Sequence, residues 1–254
     1  MPLNIAGTVV RSSFLAGLPN SGIVTRGLVL NLDAGNIASY SGSGTSWYDL
    51  SSSSKATLVN GPTYSSANSG SIVFDGTNDY GTYAINLSSY SAVTIEFWCK
   101  ITANNNGMFI EYTTDWNSNA GAIGVAANST GAATFNNMMH TNHSGGIGPR
   151  NYMVSDSTVW HQQVNIWSNI SDATGRLAYV NANLAAFVAS AQSYPTTTAT
   201  TSGSFANSTF YLASRAGSSS FSSNQMAIVR VYNRKLEAAE ITQNFNSTRN
   251  RFGV

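Results

Sequence analysis

Charged residues are scarce in this chain: they make up 9% of its 254 residues, against about 25% in an average soluble domain. The 12 Lys and Arg nearly balance the 11 Asp and Glu, which gives a formal net charge of +1. Binding to nucleic acid takes clustered basic side chains. The local cluster near the C-terminus is typical of a solvated helix face; it consists of Arg230, Arg234, Lys235, Arg249 and Arg251. We therefore expect no nucleic-acid partner.

Cysteine and long apolar runs are lacking as well. The single cysteine, Cys99, excludes an intramolecular disulfide, so stability does not depend on an oxidising compartment. No run approaches the roughly 18 apolar residues that a membrane-spanning helix needs. The N-terminus has neither the basic region nor the apolar core of a secretory signal. We expect no membrane partner, and synthesis in a cytoplasm.

Ser, Thr, Asn and Gly take the place of charge, while 12 Tyr, 11 Phe and 5 Trp supply core material. Many short stretches alternate apolar and polar residues, and turn sequences such as Asn60-Gly61-Pro62 separate them. This pattern predicts an all-β, two-sheet antiparallel sandwich, with a short helix after Leu236. The clearest strand covers residues 93–101, and we expect its buried face to hold Val93, Ile95, Phe97 and Cys99.

Residues 1–26 differ from the rest, because their apolar residues follow neither a helical nor a strand period. Two interpretations fit equally well: an arm that packs on another molecule, or an edge strand and loop of the main domain. We place the domain boundary between residues 26 and 27, so that residues 27–254 form the main domain. Sandwiches of about this length are routinely one domain.

Three groups of motifs follow one another over residues 28–253. They are LVLNLD (28–33) with WYDL (47–50); IVFDGTNDY (72–80) with TIEFW (94–98); and VRVYNR (229–234) with NFN (244–246) and RNRFG (249–253). In this order and spacing they resemble the concanavalin A-like/laminin-G-like jelly rolls of the type found in tailed-phage virion structural proteins. The resemblance implies a jelly-roll sandwich with a short C-terminal helix.

The resemblance also implies a function. It points to a non-catalytic bacteriophage structural protein in the virion, either a capsid decoration or head fibre, or a tail-fibre or baseplate component. The implied partners are other virion proteins, further copies of the chain and a host-surface glycan, after synthesis in the host cytoplasm. The alternative is a carbohydrate-binding, lectin-like module, and a weaker alternative is a glycan hydrolase.

Glycoside hydrolysis commonly needs two carboxylates about 5–10 Å apart. Related hydrolases place them on one strand as Glu-x-Asp-x-x-Glu, whereas Glu96 is followed two residues later by Trp98. Glu111 lies on the next predicted strand and is the remaining candidate partner, but both glutamates are as easily polar positions on an open sheet face. We therefore predict that the protein is not an enzyme and has no catalytic residues or organic cofactor.

Two binding sites are predicted. The resemblance implies a calcium site at the sandwich rim with Asp33, Asp75 and Asp79, although Met226-Ala227 stands where relatives carry an acidic residue; the alternative is that these aspartates cap turns. A glycan needs aromatic faces beside polar groups. The candidates for glycan contact are Trp98, Tyr112, Trp116 and Trp167, and the alternative for them is packing between the sheets or against a neighbouring subunit.

Overall fold

The structure is a computed structural model that describes residues 22–103, 107–113, 121–127, 134–140, 150–153, 158–168, 176–188 and 205–254. Its strands in chain order are β1 (Leu28–Asp33), β2 (Ser46–Tyr48), β3 (Lys55–Val59), β4 (Thr63–Ser65), β5 (Ser71–Asp75), β6 (Tyr80–Asn86), β7 (Ala92–Ile101), β8 (Met108–Tyr112), β9 (Ala122–Ala127), β10 (Thr134–His140), β11 (Arg150–Met153), β12 (His161–Ser168), β13 (Arg176–Val180), β14 (Asn183–Leu184), β15 (Phe187–Val188), β16 (Asn207–Leu212) and β17 (Ser223–Tyr232). A 3-10 helix (Ala67–Ser69) precedes β5, and helix α1 (Ala238–Phe252) ends the chain.

The strands form two antiparallel sheets. The first, named here the helix-covered sheet, follows the order β14-β13-β12-β7-β17-β5-β4, with β1 paired to the second half of β17. The second, named the open sheet, follows the order β15-β11-β10-β9-β8-β16-β6-β3-β2. The predicted all-β, two-sheet antiparallel sandwich with a C-terminal helix is therefore confirmed.

Strand β7 shows how the sandwich is filled. The predicted inner face, Val93, Ile95, Phe97 and Cys99, lies fully buried in the core between the sheets. The Phe97 ring stacks at 6.1 Å on Phe109 of the open sheet. The other face of β7 holds Thr94, Glu96 and Trp98. This face is buried as well, because α1 lies across it.

Helix α1 is fixed to the helix-covered sheet by aromatic stacking. The Trp98 ring lies 4.2 Å from that of Phe252 and 5.8 Å from that of Phe245, and Trp98 Nε1 donates a hydrogen bond to Thr248 Oγ1 at 3.0 Å. The helix ends at Gly253, whose φ of 73° is the left-handed conformation that glycine adopts without strain. Among the described residues, no helix is both long and apolar enough to cross a membrane.

Of residues 1–26, predicted to be an N-terminal arm or edge segment, the structure describes residues 22–26. Residues 22–26 already pack on the domain, and Val24 is only 7% exposed in a cluster with Tyr232, Leu236 and Ile241. Sequence periodicity missed this contact because it joins segments more than 200 residues apart. The remainder of the predicted arm, residues 1–21, lies outside the described residues.

Candidate functional site

The two glutamates considered for hydrolysis lie on opposite sides of the sandwich. Glu96 is buried on the outer face of the helix-covered sheet, where Arg230 Nη1 donates to its Oε1 at 2.8 Å. Glu111 is buried on the outer face of the open sheet, where the Ala216 N–H donates to its Oε2 at 2.9 Å. Packed sheets lie about 10 Å apart, and both carboxylates point away from the interface. These two residues therefore cannot serve as a catalytic pair.

A row of polar side chains crosses the outer face of the open sheet. The residues that stand opposite one another on β2, β3, β6, β16 and β8 are Ser46, Thr57, Thr82, Tyr211 and Glu111. Their chain neighbours point inward and fill the core; these include Trp47, Ala56, Leu58, Tyr83, Phe210 and Leu212. The name outer row is used below for Ser46, Thr57, Thr82 and Tyr211.

The outer row is accessible. Thr57 is exposed, and the other three members are half-buried. Because adjacent strands lie about 4.8 Å apart, the four side chains span about 14 Å. Three hydroxyls and one tyrosine ring provide neutral hydrogen-bonding groups beside an apolar face. Beside the row, Lys55 Nζ donates to Ser46 Oγ at 2.8 Å and lies 5.8 Å from the centre of the exposed Tyr48 ring. This face suits a polar ligand.

The loop that follows β16 closes one end of the outer row. Arg215 Nε lies 3.8 Å from Glu111 Oε1, and the adjacent Ala216 N–H donates to the same carboxylate. Ala213, Ala216 and Ser220 have φ values of 61°, 53° and 48°. Non-glycine residues in this left-handed region cost energy, and such strain is concentrated at binding sites. These contacts hold the loop beside Glu111, next to the Tyr211 end of the outer row.

Sequence reasoning did not find the outer row. Thr57, Thr82 and Tyr211 each stand between two buried chain neighbours, so alternation along these strands was a usable signal. The missing information was the strand order, because β2, β3, β6 and β16 become neighbours only in the folded sheet.

The aromatic residues predicted to contact a glycan are not displayed on a surface. Trp98, Tyr112 and Trp167 are each 0% exposed, so the prediction is wrong for these three. Trp98 is covered by α1, whereas Tyr112 and Trp167 point into the core between the sheets. Trp116 lies outside the described residues. The alternative, packing between the sheets, holds for Tyr112 and Trp167, whereas Trp98 packs against α1.

Of the three aspartates predicted to hold calcium, Asp75 and Asp79 lie together, because the Asp75 N–H donates to Asp79 Oδ2 at 3.2 Å, whereas Asp33 is bound elsewhere. Arg251 Nη1 donates to Asp33 Oδ1 at 2.6 Å, and this cationic group occupies the carboxylate that a metal would need. Asp75 accepts the N–H of Thr77 at 2.7 Å, which lowers the pKa of Asp75, while burial raises the pKa of Asp79. No three His, Cys, Asp or Glu side chains of the described segments group as a metal site. Asp33 therefore does not fit this site, and calcium binding itself stays a prediction.

Cys99 has the surroundings of a core residue. Its Sγ lies 3.4 Å from His161 Nε2, which also contacts Gln163 Nε2 at 2.8 Å, and all three side chains are buried. Burial raises the pKa of the Cys99 thiol well above its ordinary value. A protonated, inaccessible thiol is a poor nucleophile.

Two packed antiparallel sheets with an open polar face define a lectin-like jelly roll. Residues 74–242 match the laminin G family model of the concanavalin A-like lectin/glucanases superfamily. The match covers more than half of the chain, and the chain belongs to this superfamily. No curated protein sequence matches it.

Solved structures with the same fold include enzymes and binding domains. A Trypanosoma rangeli sialidase superposes with a TM-score of 0.62 at 15% identity, over 88% of this chain and 33% of that chain. The binding domain of botulinum neurotoxin DC, in complex with rat synaptotagmin II, superposes with a TM-score of 0.62 at 12% identity, over 87% of this chain and 52% of that chain. The chain thus spans about a third of the sialidase and about half of the toxin domain, and at these identities the likeness concerns the fold.

The prediction that the protein is not an enzyme is wrong, because it did not follow from the sequence. These structures correct it. The sandwich also occurs in sialidase chains, so it is compatible with a glycan hydrolase as well as with a binding domain. The prediction relied on a missing pair of carboxylates. Sialidases use a tyrosine nucleophile instead, so that absence excludes only one of the hydrolytic mechanisms.

Proposed function

We propose that this domain binds a glycan on the outer row of the open sheet. The observation that carries the proposal is the row itself: neutral hydroxyls of Ser46, Thr57 and Thr82 lead to the half-buried ring of Tyr211. Sugars present hydroxyl groups at their edges and C–H groups on their faces. Hydroxyl side chains beside an aromatic ring complement both.

Two further observations support this proposal. The opposite sheet has its outer face covered by α1, so the open sheet offers the accessible broad face of the sandwich among the described residues. Structures with this fold include a sialidase in complex with sialic acid and a toxin binding domain in complex with SialylT. Chains that contain this kind of sandwich thus include proteins solved with such ligands.

The proposal is tested by applying the full chain to arrays of neutral and sialylated glycans. We expect Tyr211→Ala to weaken binding about tenfold, because a stacked ring contributes up to about 1.5 kcal/mol and about 1.4 kcal/mol corresponds to a factor of ten. Thr82→Ala should weaken it by a smaller factor through loss of one hydrogen bond. The matched control is Thr242→Ala, which removes an exposed threonine from α1 on the other side of the molecule.

Binding that is unchanged in Tyr211→Ala and Thr82→Ala would place the glycan elsewhere, and absence of binding to every glycan would refute the proposal. Analysis of the bound glycan for cleavage products over time distinguishes recognition from hydrolysis. Both outcomes are compatible with a site on this face.

We also propose, on the sequence resemblance, that the domain works within a bacteriophage virion, with other virion proteins and further copies of the chain as partners. Mass spectrometry of purified particles, together with immunogold labelling, tests this location. Absence of the chain from particles would refute it without affecting the glycan proposal.

A further inference from the structure

Residues 22–26, named here the strap, are held through their main chain between α1 and β17. At the centre of the strap, the Val24 N–H donates to Asn244 Oδ1 at 2.8 Å, and the Val24 carbonyl accepts from the Tyr232 hydroxyl at 3.1 Å. Both main-chain groups of one residue are thus bound by side chains that are fully buried.

The ends of the strap are bound in the same manner. Gln243 Nε2 donates to the Gly22 carbonyl at 2.9 Å, and Arg234 Nε donates to the Arg26 carbonyl at 3.0 Å. The term clamp is used below for the four side chains Asn244, Tyr232, Gln243 and Arg234. A clamp that binds main-chain atoms recognises an extended segment with little dependence on its sequence.

Buried polar contacts hold the centre of the clamp in place. Asn244 Nδ2 donates to Glu96 Oε2 at 2.6 Å and to the Tyr232 hydroxyl at 2.9 Å, which leaves Asn244 Oδ1 directed at the strap. Glu96 is fixed in turn by Arg230 at 2.8 Å. These contacts do not involve the strap, so they fix Asn244 and Tyr232 independently of it. Such preorganisation favours binding.

The strap buries one apolar side chain. Val24 enters the cluster of Tyr232, Leu236 and Ile241, while Thr25 and Arg26 are exposed. Beside the strap lies a groove of about 470 Å³, lined by the strap together with Glu240 and Gln243. The clamp and this pocket have the features of a peptide-binding site that is occupied by the chain's own residues.

We propose that the clamp also takes the strap of a second copy of the chain, so that two copies exchange residues 22–26. The contacts in the exchanged form are those already present, which makes exchange of an identical element a low-cost route to a dimer. A single tight turn, closed by the Leu28 N–H on the Thr25 carbonyl at 3.1 Å, connects the strap to β1. Gly27 in this turn has a φ of +80°, and a Cβ there would lie 2.7 Å from Asn233 Oδ1.

The test uses two full-length variants, Gly22→Cys and Gln243→Cys, prepared separately; the second replaces one of the four clamp side chains and keeps Asn244 and Tyr232, which bind Val24. A Cβ on Gly22 meets no atom within 4 Å, and Cys99 is buried and does not compete for reagent. The two variants, one of them carrying a mass tag, are mixed, incubated and treated with a short bismaleimide. Because the reagent also links thiols of molecules that collide, exchange is measured as the heterodimer formed beyond the amount that a Gly22→Cys chain carrying Val24→Asp gives.

We expect this excess of heterodimer to appear and its yield to rise with protein concentration. Adding Val24→Asp to the Gly22→Cys chain should abolish the excess, because the strap then loses its buried side chain. Adding Gly27→Ala should increase it several-fold, because that substitution strains the turn that keeps the strap on its own chain.

The double variant Gly22→Cys/Gln243→Cys is the positive control, because it can be linked within one chain. Linked monomers from the double variant without heterodimers from the mixture would overturn the proposal, and so would failure of the double variant to link at all. An equal yield of heterodimer with Val24→Asp would show a different contact and would overturn it as well.

Discussion

At the scale of single residues, the stability of this sandwich depends on polar groups that are buried in pairs. Arg230 and Glu96 are 3% and 0% exposed and lie 2.8 Å apart. A charge in such a position is stable only with its partner, because desolvation would otherwise disfavour the ionised form. Asp49 is similar: burial alone would raise its pKa, but hydrogen bonds from Ser52 and Ser51 hold the pKa below its ordinary value.

Replacing Glu96 by Leu should therefore destabilise the protein by about 3–5 kcal/mol, because Arg230 is left buried without a counter-charge. The measurement is the free energy of unfolding from urea titration. Lys235→Gln, at an exposed cation on the same side of the molecule, should change it by less than about 0.5 kcal/mol. Equal, small effects would mean that water reaches the pair.

The two faces of β7 provide a second prediction. Phe97→Ala should cost about 3–5 kcal/mol through loss of core packing. Thr94→Ala should cost about 1–3 kcal/mol, because Thr94 Oγ1 donates to the Arg234 carbonyl at 2.7 Å and accepts from the Leu236 N–H at 3.0 Å. Thr94→Val, which keeps the shape of the side chain, should lose a similar amount. A negligible effect at Thr94 would contradict the buried position of this side chain.

The contrast between these faces shows what the sequence could predict. Alternation along residues 93–101 identified the inner face, since a strand's own period determines it. The same alternation suggested an open outer face, which is wrong. The residues that cover Trp98 are Phe245 and Phe252, about 150 positions later, and a local period holds no information about so distant a contact.

At the scale of elements, α1 is joined to the start of the domain by charge. Arg234 Nη2 lies 2.7 Å from Glu240 Oε1, and Arg26 Nη2 lies 3.7 Å from the same oxygen. The hydrogen bond from Arg234 is the largest cause that lowers the pKa of Glu240, to about 2 from an ordinary 4.5. The position of Glu240 in the first helical turn is also the one that the helix dipole favours for a carboxylate.

This lowered pKa predicts a pH dependence of stability. A carboxyl whose pKa is lower in the folded state contributes stability above pH 4.5, and the contribution is lost as the pH falls through about 2. Between pH 4.5 and about pH 2, the free energy of unfolding of the wild type should fall by on the order of 1 kcal/mol more than that of Glu240→Gln. This figure allows for solvent screening at a side chain that is 22% exposed. Unfolding titrations from pH 7 to pH 2 measure this, and parallel curves for the two proteins would contradict it.

Truncation tests the part of the N-terminal segment that belongs to the domain. Deleting residues 1–26 should lower the free energy of unfolding by about 2–4 kcal/mol relative to deletion of residues 1–21, because Val24 leaves its cluster and Asn244 loses the N–H that it binds. The shorter deletion is the matched control, since it keeps all of residues 22–26. Equal stabilities would mean that this segment contributes nothing to the fold.

At the scale of the whole molecule, the two outer faces of the sandwich differ in what covers them. On the helix-covered sheet, α1 and the strap bury the outer side chains, so that substitutions there act on stability. On the open sheet, the four outer-row residues remain accessible. The amount of buried area therefore predicts a separation of roles between the faces: one stabilises the fold, and the other is available for a ligand.

This separation is tested by comparing Tyr211→Ala with Phe245→Ala, one aromatic from each face. Phe245 is 9% exposed and stacks on Trp98, so its removal should cost about 3 kcal/mol of stability and leave the glycan affinity of the folded fraction unchanged. Tyr211→Ala should cost less than about 1 kcal/mol, yet weaken glycan binding about tenfold. Urea titrations and binding isotherms are measured at a temperature where both variants are folded. Closely packed interiors transmit strain. A change in glycan affinity caused by Phe245→Ala under those conditions would therefore mean that the core transmits packing changes from one face to the other. The roles of the two sheets would then be coupled.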